Sequence, residues 1–318
     1  MIFRVRHLTT YNYVEPVLVA HHQAHLAPRS FQYQTCRRTL LRVTPEPASL
    51  VMDGVDYFGN NIAFFTLQDP HKTLTVESVS RVEVRPRDLP APGETPDWES
   101  VVGMLRRGAG PIVLEAAEYT FESPFVPCGN PKVVEYAKKS FPPEQPILAG
   151  LLDLLHRIYK DFTYDPAATT LATPIARVLA EKRGVCQDFA HLAIACARSL
   201  GLPARYVSGY LRTHVAPGRT RLVGADASHA WFAIFCPGIG WVDFDPTNNV
   251  QPSVEHITVA YGRDFGDVSP VAGILTGGGS HIVKVSVDVN PLGEDPVYNR
   301  PSLPSGPSPN QSQSQSQG

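Results

Sequence analysis

The hydrophobic period of this 318-residue chain changes once along its length, and that change constrains the fold more than any other feature. Up to about residue 85, the segments FRVRHLTTYNY, TLLRVTP, NIAFFTLQ and LTVESVSRVEV carry β-branched and aromatic residues with period-two stretches. DYFGNN reads as a turn between two of them. Several strands in so short a span predict an all-β N-terminal domain over residues 1–87, folded as an antiparallel sandwich. The next stretch, RPRDLPAPGETPDWES, is rich in proline and charge and has no period, which places a linker at 88–100.

Beyond the linker the spacing is helical. PKVVEYAKKSF and PILAGLLDLLHRIYKDF tolerate Pro131 and Pro146 in a first turn. TPIARVLAEKRG predicts a short helix capped by Thr173 and ended by Gly184. A further helix is expected from Cys186 to about Leu200, with Phe189, Leu192, Ala193 and Ala197 on one face and Gly201 and Pro203 at its end. Strand-like segments come afterwards: ARYVSGYLR, HAWFAIFC, GWVDFDPT and HIVKVSVDVN. Helices first and antiparallel strands second predict an α+β domain over residues 101–290. Residues 291–318, ending in SQSQSQG, hold too little apolar surface to offset their ordering entropy and are predicted to be a disordered tail.

Composition removes some classes of function. A net charge of -2 gives no electrostatic reason to expect nucleic acid or an anionic membrane as partner. Apolar runs such as HAWFAIFC are too short to span a bilayer. MIFRVRHLTTYNYV alternates like a strand and lacks a signal peptide's apolar stretch, which predicts a cytoplasmic location. Cys36, Cys128, Cys186, Cys196 and Cys236 are odd in number and scattered, unlike a disulfide framework.

One of the five cysteines has a special position. Cys186 falls in the first turn of its predicted helix, where unpaired N–H groups and the helix dipole favour a thiolate. Nucleophilic use also requires a base and a group that orients it. His229 begins one later strand and Asp245 ends the next, so a hairpin through CPGIGW brings both to one edge of a sheet. Taken singly, each residue has a plainer role: a buried thiol, a strand-end histidine and a turn aspartate before Pro246. A metal site of Cys186, His191 and Cys196 is the rival, but five helical residues rotate a side chain by roughly 140°, so Cys186 and His191 diverge. His21, His22 and His25 in HHQAH lack the glutamate of a zinc-peptidase motif, and TGGGSH does not run from strand to helix as phosphate loops do. No metal and no cofactor are therefore expected.

GVCQDFAHLAIACARSLGLPARYVSGYL, SHAWFAIFCPGIGWVDFDPTN and HITVAYGRDFGDVSPVAGILTGGG resemble the bacterial branch of the transglutaminase-like superfamily, whose members are often described as cysteine proteases. HLTTYNYVEPV, HLAPR, DYFGNN and PHKTLTVESVSRVEV resemble the β-rich region that precedes the core in that branch. The resemblance implies a papain-like transglutaminase core of helices packed on an antiparallel sheet. It also implies a nucleophile at Cys186, a general base at His229 and an orienting residue at Asp245. The expected activity is acyl transfer from a peptide, protein or other amide through a thioester, by hydrolysis or by transfer to an amine. A binding protein without catalysis is a further alternative. Tyr164 is the candidate side-chain donor to the oxyanion. His256, Arg263, Asp264 and Asp267 are expected either to line the cleft or to hold the loop that follows the sheet, the second reading being the plainer one. Calcium dependence does not carry over, because no acidic loop has ligand spacing.

Overall fold

The computed structural model describes residues 1–108, 110–170, 173–213 and 227–292. It opens with β1 (Ile2–Ala24), β2 (Gln34–Thr44), β3 (Ser49–Val55), β4 (Asn61–Leu67) and β5 (His71–Val84). Helices α1 (Trp98–Arg107), α2 (Pro111–Glu118), α3 (Pro131–Lys138) and α4 (Ile147–Asp161) follow. Asp97 caps α1 by accepting the Ser100 N–H at 2.7 Å, and Asn130 caps α3 with Pro131 in the first turn. The short strand β6 (Thr163–Tyr164) precedes α5 (Ile175–Glu181), which leads through β7 (Arg183–Gly184) into α6 (Cys186–Ser199). The chain then forms β8 (Ala204–Leu211), β9 (Ala227–Cys236), β10 (Gly240–Phe244), β11 (His256–Gly262), β12 (Val271–Gly277) and β13 (His281–Pro291).

Two antiparallel sheets organise these elements. β1 is the spine of a seven-stranded sheet: its first half pairs with β5 and β13, and its second half with β4 and β12. This differs from the expected sandwich of the first 85 residues alone. A 23-residue strand leaves a long unpaired edge, and the end of the chain returns to cover it. Val271–Pro291, which the pattern grouped with 101–290, therefore belongs to the N-terminal sheet. Pro16 interrupts β1 because it has no N–H for the ladder. The glycines of TGGGSH wrap that interruption: Gly277 has φ +91°, and a Cβ there would lie 2.5 Å from the Pro16 carbonyl oxygen. Residues 293–318, nearly all of the expected tail, lie outside the described residues.

The second sheet has the order β10-β9-β8-β11. α6 packs against it, and Ala190, Ala193 and Ala197, all fully buried, let the helix lie close to β9. One continuous core joins Phe3, Val82 and Val289 of the first sheet to Leu151, Ile194 and Phe232. Burying each large apolar side chain contributes roughly 1.5–3 kcal/mol, so the two halves are stabilised together. Gly201, at φ +84°, ends α6. Among the described residues, no helix is long and apolar enough to cross a membrane.

Candidate active site

The start of α6 is built around Asp188. Its Oδ2 accepts the Val185 N–H at 2.8 Å and the Thr169 hydroxyl at 2.7 Å, fixing the turn that delivers Cys186 as the first helical residue. Gly184 serves this approach rather than ending α5, since a Cβ on it would lie 2.8 Å from the same Asp188 oxygen. α5 ends instead on Lys182 in the left-handed conformation, φ 56°. Pro174, not Thr173, occupies the cap position at its start. Cys186 is half-buried, whereas Cys196 and Cys236 are sealed in the core, where burial pushes their thiols up to about 12.

Strand direction explains the rest of the site. β9 and β11 both run antiparallel to β8, so they begin at the same edge: His229 lies opposite Gly209, and His256 opposite Leu211. β10 runs back along β9 and ends at that edge, delivering Asp245. His229 Nε2 lies 2.7 Å from Asp245 Oδ2, and the ring is close enough to the Cys186 sulfur to feel it electrostatically. With Nε2 engaged, Nδ1 is the nitrogen left for the sulfur. Burial alone would strip the proton from His229. The hydrogen bond to Asp245 and the proximity of Cys186, with the charges behind them, outweigh it and raise the ring to about 10.

Asp245 is fully buried and carries an unusual load. Its Oδ2 accepts from His229 Nε2, from His256 Nε2 at 3.1 Å and from Asn248 Nδ2 at 2.7 Å. Its Oδ1 accepts the N–H groups of Thr247 at 3.0 Å and Asn248 at 3.3 Å. Burial opposes ionisation, but these bonds, led by those from His229 and His256, hold the carboxyl well below the usual carboxylate range.

Tyr164 stands beside Cys186 because β6 pairs with β7, where it lies opposite Gly184. Burial and the proximity of Cys186 both raise its phenol. Tyr206, fully enclosed, is raised far more by burial and also feels Cys186.

Other sequence candidates lie in different settings. His191 is buried, and its Nε2 accepts the Phe265 N–H at 3.1 Å, so that nitrogen carries no proton; burial lowers the ring to about 4. Cys196 faces α3 rather than Cys186, with its sulfur 4.0 Å from the Val133 carbonyl oxygen. In HHQAH, His22 stacks on Phe65 and His25 bonds Asp56, so the three rings do not converge. Arg263 forms a two-pronged ion pair with Asp267, and Asp264 accepts the N–H groups of Phe125 and Gly266. Those three residues hold their loop. His256 does not: it joins the site. His229, Asp245 and His256 place three donor atoms within 4.8 Å of one another, a set that suits zinc by ligand type. A cation there would require both Nε2 atoms to give up the protons they share with Asp245. The sequence reading left out Asn248 and the coupling of His256 to Asp245. The signal was available, because HITVAYG begins with its histidine and any strand parallel to β9 starts at the same edge.

Helices packed on an antiparallel sheet, with a cysteine at a helix start facing a His–Asp pair at a sheet edge, define an α+β fold of the papain-like class. Residues 3–83 match the family described as bacterial transglutaminase-like N-terminal region, and residues 135–246 match the transglutaminase-like superfamily. The chain belongs to that superfamily. An uncharacterized protein of Mycobacterium tuberculosis is 40% identical over 310 residues, which span 93% of this chain and 95% of the relative. The fold is shared with a crystal structure from Cytophaga hutchinsonii, provisionally designated a cysteine protease, at TM-score 0.71, 22% identity and 93% coverage of each chain. A protein-glutamine gamma-glutamyltransferase of Pseudomonas aeruginosa is 29% identical over 128 residues, 39% of this chain and 19% of the relative.

Proposed function

We propose that this protein is a thiol-dependent acyl-transfer enzyme acting on amide bonds, with Cys186 as nucleophile, His229 as acid and base, and Asp245 as the group that orients the imidazole. The observation that carries the reading is the His229 ring bonded to Asp245 and close enough to a cysteine at a helix start to be raised by it. The Cys186 thiol gives its proton to His229, and the sulfur attacks the amide carbonyl carbon. The C–N bond then breaks, and the leaving amine takes its proton from His229, which the imidazolium retains through neutral pH. The resulting thioester is opened by a second nucleophile that gives its proton to His229, and the thiol is restored. In this reading the oxyanion is received by the Cys186 N–H, one of the first-turn donors that no helical carbonyl pairs, and by the Tyr164 hydroxyl, whose strand lies opposite Gly184.

Water as second nucleophile makes the protein a peptidase or amidase, the reading we favour for a peptide, protein or other amide substrate. Transfer to an amine is the second reading, favoured by the similarity to the Pseudomonas gamma-glutamyltransferase. All five thiols are free, which suits a reducing compartment such as the cytoplasm. The test compares wild type with Cys186→Ala on a panel of amides and a glutamine-containing protein, with a labelled primary amine present. Loss of turnover by about 10⁴-fold or more in a folded variant is expected. Cleavage or ammonia release without label identifies hydrolysis, and label in the acceptor identifies transfer. A folded Cys186→Ala variant as active as wild type would refute the thioester, and a wild type inert on every amide would leave a binding protein.

A further inference from the structure

A cavity of about 320 Å³ lies between the N-terminal half and the four-stranded sheet. Tyr33, Arg85, Arg205, Trp241, Asp243 and His256 contribute to its wall, and none of Cys186, His229 and Asp245 does. Its charge is unbalanced: three guanidinium groups, from Arg85, Arg87 and Arg205, meet the single carboxylate of Asp243. Asp243 accepts the Trp231 indole N–H at 3.3 Å and feels the charge of Arg205 and Arg87, so it offsets only part of the positive charge. Arg87 is tethered to the carbonyl oxygens of Ile239 and Trp241. Arg205 lies between two rings, with its guanidinium carbon 3.5 Å from the Tyr261 centroid and 4.2 Å from that of Trp241. Stacking holds the cation flat without satisfying all its N–H groups.

Two wall residues, each only 7% exposed, retain an unsatisfied nitrogen: Arg205 Nε and His256 Nδ1 have no hydrogen-bond partner among the described residues. Leaving such atoms without a partner in a protein interior is costly, more so for a charged group, so a polar partner in the cavity would be strongly favoured. A carboxylate answers both if a proton enters with it: one oxygen accepts from Arg205, and the other accepts from His256 Nδ1, the ring then standing as an imidazolium between this carboxylate and Asp245. The aromatic wall favours an apolar body on the same molecule.

We propose that this cavity binds a small organic carboxylate through Arg205 and His256, and that occupancy is transmitted to Asp245 through the other nitrogen of His256. The binding half is independent of the catalytic reading, while the transmission half rests on it.

The test titrates the full chain with benzoate, using uncharged benzamide as control, by calorimetry and by the fluorescence of Trp231 and Trp241 in the wall. Saturable binding of one benzoate is expected, with benzamide about tenfold weaker or worse. Arg205→Met should weaken benzoate binding by about tenfold. Arg85→Met, at an exposed position that leaves the core intact, should weaken it by a smaller factor. No benzoate binding by wild type, or equal binding of benzoate and benzamide untouched by Arg85→Met, overturns the site. For transmission, saturating benzoate should change the alkylation rate of Cys186 by about fivefold in wild type and leave it unchanged in His256→Asn. An unchanged rate in wild type with benzoate bound refutes the coupling alone. Alkylation of Cys186 no faster than that of Cys36 or Cys128 refutes the catalytic reading and leaves the binding result standing.

Discussion

The four-stranded sheet supplies His229, Asp245 and His256 from a single edge, whereas the seven-stranded sheet, with more strands, supplies no member of the proposed triad. The larger sheet instead grips the smaller one. β11 is an edge strand, and its outer side is met by two side-chain amides in place of another strand. Gln34 donates from Nε2 to the Thr258 carbonyl at 2.7 Å and accepts the Thr258 N–H at 2.8 Å. Asn60 repeats the pattern on Tyr261, donating at 2.7 Å and accepting at 2.8 Å. Each amide imitates a peptide group, satisfying an edge that would otherwise be open to water or to another chain. β11 begins with His256, so the N-terminal half fixes the strand that carries the second donor to Asp245. The contrast is between a sheet that holds the reacting groups and a sheet that holds their support.

The sharpest way to break that division is Asp245→Asn. The amide keeps the shape but removes the charge that holds the His229 proton, and a drop in turnover on the order of 10³–10⁴-fold is expected. The same change has a signature in stability against pH. His229 is raised in the folded state, so its contribution is fully present below its ordinary value of about 6.5 and is lost as pH rises through about 10. Urea melts between pH 6 and 10 should therefore show wild type losing stability, with the loss largely abolished in Asp245→Asn. An equally steep loss in the variant would mean that Asp245 does not hold the proton.

Much of this site was legible in the sequence because the cues are local. Gly184-Val185-Cys186 announces a helix start, and His229 and Asp245 flank a hairpin whose turn is written as CPGIGW. Tyr164 was harder, since its place beside Cys186 depends on a two-residue parallel pair between β6 and β7. The misjudged parts are those set by distant pairing. β12 and β13 look like continuations of the second sheet, and only the unpaired edge of β1 explains their return to the first. His256 read as a loop anchor because its value lies in sharing Asp245 with His229, a relation that no window of neighbouring residues contains. The amide clamps are equally invisible, as Gln34 and Thr258 stand 224 residues apart.

Gln34→Leu sharpens the comparison by a smaller step. It keeps the bulk but strands the Thr258 N–H and carbonyl, and the Arg29 carbonyl that Gln34 also serves at 2.8 Å. A loss of roughly 2–4 kcal/mol in denaturant melts is expected from these unsatisfied groups. Cys186 alkylation measured on the folded fraction should fall as well, because β11 carries His256. A full stability loss with unchanged alkylation would reduce the N-terminal sheet to a scaffold.

The smallest expected effect tests the opposite end of the site, where the seven-stranded sheet has no part. In Gly184→Ala the new methyl would meet Asp188 Oδ2 at 2.8 Å and its Cβ at 2.9 Å, closer than packed atoms allow. Asp188 must then shift, loosening its bonds to the Val185 N–H and the Thr169 hydroxyl, with a cost of about 1–2 kcal/mol as a damaged helix cap. The rate consequence should outrun the stability consequence, because the residue displaced with that turn is Cys186 itself. Per unit of stability lost, Gly184→Ala should thus lower alkylation more than Gln34→Leu does. If both variants lose reactivity in proportion to stability alone, the helix start has no privileged control of the sulfur.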